Sequence, residues 1–131
     1  MMKDISNRQD VELLVNTFYD KIRADKAIGY IFNQAIGDDW SRHLPKMYAF
    51  WSLILIEEPG YSGNTVSKHI ELDRKIKIED AHYNRWVELW NNTLDSLFAG
   101  PKADEAKKRA KLMKDLIRFK VESARTGKSL Q

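Results

Sequence analysis

The sequence predicts an all-α fold, and three observations carry that expectation. Apolar residues recur at three- and four-residue steps through the long segments, no stretch alternates as a half-buried strand would, and the breaks coincide with cap and stop residues. At 131 residues, with 43% hydrophobic and 31% charged side chains, the chain is expected to form one soluble globular domain. Its tails are expected to be short, about 1–7 and 126–131.

The first helix is expected from Asn7 or Arg8 to about Ala24, capped by Ser6 or Asn7, with Val11, Leu14, Val15, Phe18 and Ile22 on its buried face. Tyr19 borders that face, so its ring should turn inward and its hydroxyl needs a partner. A short helix or turn over Ala27 to Phe32 points Ile31 and Phe32 to the core, and Asn33 to Gly37 should close it. A second long helix should begin at Asp38 or Asp39, whose carboxylates suit the positive end of the helix dipole, and run to about Ile56. Within it His43, Met47, Phe50 and Ile54 share one stripe, and Pro45 is expected in the first turn or so, where a missing amide is tolerated.

Glu57 to Thr65, with Pro59, Gly60 and Gly63, reads as a loop. Then come a short element bearing His69, a charged connection, and a helix from about Glu79 to Ala99 that stops at Gly100 and Pro101. A last helix, about 102 to 125, should bury Ala103, Ala106, Ala110, Met113, Ile117, Val121 and Ala124. Trp40, Trp51 and Trp90 read as core or core-edge aromatics.

Composition narrows the function classes. The net charge is +3, but residues 102–131 hold ten basic and four acidic side chains, so the basic excess belongs to the last helix. Lysines on the outer face of an amphipathic helix are more often solvated than engaged, and no aromatics interleave with them, so no nucleic-acid partner is expected. The longest apolar run, Leu53 to Ile56, is far too short to span a bilayer, and MMKDISNRQD lacks the apolar core of a signal peptide, so no membrane partner is expected either. The absence of cysteine removes disulfides and thiolate sites and accords with a cytoplasmic location.

The stretch Val66 to Trp90 holds two of the three histidines and two of the four tryptophans. His43, His69 and His82 sit on separate elements, without the i, i+4 pairing typical of zinc ligands, and no glycine-rich phosphate loop is present. A five-coordinate haem iron asks for less: one neutral imidazole, an apolar slot and a few donors over the open side. His69 offers the imidazole; Phe32, Phe50, Met47, Ile54, Trp86, Leu89 and Leu94 could line the slot; Tyr19, Trp86 and His43 could donate. A haem-free helical module binding a partner protein or an apolar ligand is the alternative.

The segments FYDKIRADKAIGYIFNQAIG, WSRHLPKMYAFW, GYSG followed by KHIEL, and HYNRWVELWNNTLDSLFAG resemble, in order, the group III truncated haemoglobins of bacteria, over residues 10 to 120 or so. The resemblance implies a two-over-two helical globin sandwich holding one haem b. It implies that His69 is the proximal iron ligand, Tyr19 and Trp86 the distal tyrosine and tryptophan, His43 the distal-helix histidine, and Phe32 a ring on the haem face. Met47 and Phe50 would join it in the slot. Lys68, Arg74, Lys75, Tyr61 and His82 are the candidates for holding the propionates. Oxygen, nitric oxide or other small haem ligands are the implied partners, with an unidentified reductase. Two strong donors should slow release of a ligand with partial negative charge, which favours nitric oxide dioxygenation or peroxide reduction over storage or transport. Asn64 and Thr65 depart from the family where a proline often stands, and Tyr83 replaces a common phenylalanine, which could add a hydroxyl near the haem edge.

Overall fold

The computed structural model describes residues 2–63 and 65–126; Met1, Asn64 and the tail from residue 127 lie outside it. Helix α1 (Arg8–Ala24) starts where the Asn7 side chain accepts the Asp10 amide at 2.9 Å, and its expected face is buried. Helix α2 (Gly29–Ile36) begins two residues late and continues through Asn33 to Ile36, which the sequence reading had closing the turn. Asparagine and glutamine look like loop residues, but Ile36 packs on the main core and so carries the helix onward until Gly37 ends it at φ +59°. Gly29 is required where α2 meets α1: a Cβ there would lie 2.9 Å from the Ile22 carbonyl oxygen.

Helix α3 (Trp40–Ile56) places Pro45 deeper than expected, one turn past its start. The missing amide leaves the Ser41 carbonyl without its helical donor, which is tolerable because both residues are exposed to water. Helix α4 (Thr65–Lys75) bears His69. Helix α5 (Asp80–Leu97) opens with the Glu79 amide donating to His82 Nδ1 at 2.9 Å. Helix α6 (Pro101–Arg125) uses Pro101 as its first residue, where the expectation had it as a stop. Its first amides are capped from afar: Asp4 accepts the Lys102 and Ala103 amides at 2.8 and 2.9 Å. Gly100, at φ +139°, leaves room for this, since a Cβ would sit 2.7 Å from Asp4 Cγ.

Two antiparallel pairs make the fold. Tyr48 bonds Asn16 and Arg8 pairs with Glu58, which sets α3 against α1; Arg118 with Asp80 and Lys107 with Asp95 set α6 against α5. Helix α1 packs across α5, giving the two-over-two sandwich, while α4 packs on α6. All four tryptophans bear on the core. Trp90, fully buried, stacks on Trp51 (4.4 Å between centroids) and donates its Nε1–H to the Ala106 carbonyl at 3.1 Å. Phe18 meets Tyr19, Trp86 and Trp90 edge-on at 5.0, 5.7 and 4.9 Å, contacts that each add about 0.5–1.5 kcal/mol beyond burial.

A smaller cluster of Ile78, Tyr83, Ile117 and Val121, with Ile70 and Leu72, seats α4 on α5 and α6. Beside it Asp73 takes two hydrogen bonds from Arg125, one of them at 2.8 Å, and accepts the Ile78 amide at 2.9 Å. The guanidinium above all, with that amide, holds the Asp73 carboxyl below its usual range against the opposing effect of burial. A carboxyl lowered in this way adds stability that is present above its unfolded value and is lost as pH falls through the folded one. Asp73→Asn is therefore expected to cost about 2 kcal/mol at neutral pH. In urea unfolding, its deficit against the parent should begin to shrink below about pH 4 and disappear only once pH has fallen through the lower, folded value. A deficit independent of pH would assign the cost to packing.

The Tyr83 hydroxyl is buried with no hydrogen-bond partner. Burial, with a smaller contribution from Asp73, pushes its pKa up to about 12. Tyr83→Phe removes an unsatisfied buried group, so it is expected to stabilise the fold by about 1 kcal/mol in thermal or denaturant unfolding.

Candidate cofactor cavity

Residues from α1 to α6 and from the loop after α3 line a cavity of about 600 Å³, within the size range of small-molecule and cofactor sites. Its wall includes Tyr19 from α1, Phe32 from α2, His43, Met47 and Phe50 from α3, Tyr61 from the following loop, Lys68 and His69 from α4, and Trp86 from α5. Ile54, Leu89 and Leu94, also expected there, are elsewhere: Leu89 and Leu94 are buried in the main core and Ile54 packs against it. Periodicity shows that a residue is buried and cannot say which of two apolar volumes it faces.

The α1–α3 side of the wall is polar at three points. Tyr19 is held edge-on by Phe32 (6.2 Å), Trp40 (5.5 Å) and His43 (5.3 Å), and its hydroxyl makes no hydrogen bond among the described residues. Burial alone pushes its pKa upward, so the hydroxyl stays protonated. His43 is turned inward, its ring against Tyr19 and Trp40 (5.7 Å) and its Nε2 buried without a partner. Burial first, then the fields of Lys46 and His69, lower its pKa, which favours the neutral ring. The Trp86 ring lies parallel to Trp90 at 6.3 Å, and its indole N–H also has no hydrogen bond among the described residues.

On the α4 side the half-buried His69 is accompanied by Lys68, Glu71, Leu72 and Lys75. Lys46, Lys68 and Lys75 make no ion pair among the described residues, whereas Arg74 does not reach the wall. Tyr61 packs edge-on to Phe50 at 5.0 Å. His82 lines the cavity while its Nε2 lies 3.3 Å from the Tyr30 hydroxyl. Met113, Lys114 and Ile117 of α6 complete the floor; the buried stripe of α6 contains two of them, but nothing local in the sequence directs it to this cavity.

Chemically, this is an apolar slot with one imidazole on α4 and a group of neutral donors on the other helices. No group of three or more His, Cys, Asp or Glu side chains that could hold a metal ion occurs among the described residues.

No family model matches the chain. It is 32% identical over 95 residues to the group 3 truncated hemoglobin ctb of Campylobacter jejuni, covering 70% of this chain and 72% of that protein. The crystal structure of group III truncated hemoglobin from Campylobacter jejuni is similar with a TM-score of 0.83 at 27% identity, covering 92% of this chain and 95% of that one.

Proposed function

Since the chain belongs to the group III truncated haemoglobins, we propose that this haem-binding globin seats a haem b between α3 and α4 with His69 as the protein ligand to the iron. The observation that carries the reading is the single cavity wall that brings the His69 imidazole together with Tyr19, His43 and Trp86. The orphaned, buried Nε2 of half-buried His43 supports it, because a buried polar atom without a partner calls for one that the described residues do not provide.

When bound, the haem supplies an iron that takes up diatomic ligands such as oxygen or nitric oxide and exchanges electrons. The residues of the chain do the rest. Phe32, Met47 and Phe50 would exclude water and hold the macrocycle, and Tyr61 and Lys68, which line the same cavity, would serve its polar groups. The Tyr19 hydroxyl and the Trp86 indole N–H would donate to a ligand carrying partial negative charge, and preorganised donors in a dry pocket act strongly because they need no reorganisation. His43, neutral and inward, is the third group at that position. With this donor set, ligand release is slow, which suits nitric oxide or peroxide chemistry in the cytoplasm, with a reductase as electron donor, better than oxygen storage.

The first test is a visible absorption spectrum of the purified protein, as isolated and after dithionite and carbon monoxide. A Soret band that moves at each step is the expected result. If none appears even after adding hemin, the cavity serves some other apolar ligand and the haem reading is wrong.

A further inference from the structure

The outer face of α6 carries an apolar row. Leu112, Leu116 and Phe119 are 53%, 49% and 58% exposed. Their four- and three-residue steps align them along the helix, away from the buried Ala103, Ala106, Ala110, Ile117 and Val121. One exposed leucine needs no explanation, but three large apolar side chains in line make a patch of the kind that marks a contact surface.

The charges around the row are sorted. Glu105 and Asp115 pair with Arg109 and Lys114, Glu122 shares Arg118 with Asp80, and Asp104, in the first turn and away from the row, makes no ion pair among the described residues. Lys108, Lys111 and Lys120, which flank the row along its length, make no ion pair among the described residues. The face therefore presents apolar side chains edged by uncompensated positive charge.

We propose that this face of α6 docks on an anionic lipid bilayer, with Leu112, Leu116 and Phe119 entering the headgroup boundary and the three lysines reaching lipid phosphates. Composition favours lipid over a protein partner. Protein contact surfaces are depleted in lysine and draw on tyrosine, tryptophan and arginine, whereas leucine and phenylalanine edged by lysine is the pattern of a helix lying in a membrane interface. Lysine stems reach past an apolar row, so both sets engage at once. A second copy of the chain would set the same unpaired lysines against each other, which is repulsive. The contact is peripheral, since no helix among the described residues is long and apolar enough to cross a membrane. The expectation of no membrane partner rested on the lack of a spanning run and of a signal-peptide core, neither of which bears on peripheral contact; the exposed row is what the structure adds. None of these six side chains lines the cavity, so the inference stands apart from the haem reading.

The test is cosedimentation of the full chain with vesicles of phosphatidylcholine, alone or with a third phosphatidylglycerol, at low and at physiological salt. Capture by the anionic vesicles that weakens with salt is expected, with little capture by neutral ones. A Leu116→Asp/Phe119→Asp variant should bind at least about tenfold more weakly. A Lys108→Glu/Lys111→Glu/Lys120→Glu variant should lose about a hundredfold. Phe119→Trp, which keeps the apolar face, should show a blue-shifted emission component on anionic vesicles. The proposal is overturned if the parent stays in the supernatant at low salt. It is equally overturned if Leu116→Asp/Phe119→Asp binds like the parent, since the lysines alone would then account for capture.

Discussion

His69→Ala is expected to abolish the iron–protein bond and lower haem affinity by more than about a hundredfold, the ceiling for removing a group that merely supports a metal ligand. The reason lies in the donor inventory. The described residues contain no cluster of metal-ligating side chains to substitute, and His43 and His82 are on other helices, with His82 already engaged at the start of α5. Haem titration of the purified protein, followed at the Soret band, measures the loss. Because α4 also packs on α6, a weak binder could result from a displaced helix. His69→Gly with added imidazole separates the two: rescue of the spectrum marks a lost ligand, and no rescue with unchanged parent-like affinity in His69→Ala would remove His69 from the site altogether.

Tyr19→Phe should keep haem and release oxygen roughly 10- to 100-fold faster, which corresponds to the 1.5–3 kcal/mol of a hydrogen bond to a charged group. The ring itself is locked by Phe18, Phe32, Trp40 and His43, so the substitution removes the hydroxyl with little disturbance of packing. Burial raises the pKa of the hydroxyl, so it donates across the working range and the parent's off-rate should be flat between about pH 6 and 9 as far as Tyr19 is concerned. Stopped-flow displacement of oxygen by carbon monoxide reads the rate. An unchanged rate in Tyr19→Phe would mean that Trp86 and His43 hold the ligand without it.

Local periodicity made most helices legible. Val11, Leu14, Val15, Phe18 and Ile22 lie on a single face because α1 packs on one side only, and all are buried. Asn7 could be read as a cap because capping is decided within three residues. What depends on distant partners could not be read. Asp73 and Arg125 are 52 positions apart, and nothing in either neighbourhood announces the pair. Leu89 and Leu94 carry the right pattern for a buried face but meet the core and not the cavity. Helix α6 misled differently: its apolar residues go most of the way round, so the step pattern that found Ala103 and Ala110 gave no hint that Leu112, Leu116 and Phe119 remain outside. The candidate site was reached through ordered motifs, because no single histidine among the three carries enough local context. Tyr83 does line the cavity, but that its hydroxyl is buried without a hydrogen-bond partner depends on neighbours from other helices that its local sequence does not announce.

The cap that Asp4 places on α6 spans 98 positions. A helix normally settles its first amides with a residue next door, and so its first turn forms with the rest of it. Here that turn waits for the two halves of the chain to meet: the Ala99 amide bonds the Lys3 carbonyl at 3.0 Å and Asp4 then closes over Lys102 and Ala103. Closing so long a loop is slow relative to helix growth, although lengthening it further would add little to its entropic cost. The cap on the first turn of α6 is therefore expected to form late in folding, after the two ends of the chain have met. In the native protein the Lys102 and Ala103 amides should exchange with solvent whenever the N-terminal arm lifts, reporting the detachment of residues near position 4 and not the fraying of α6 itself.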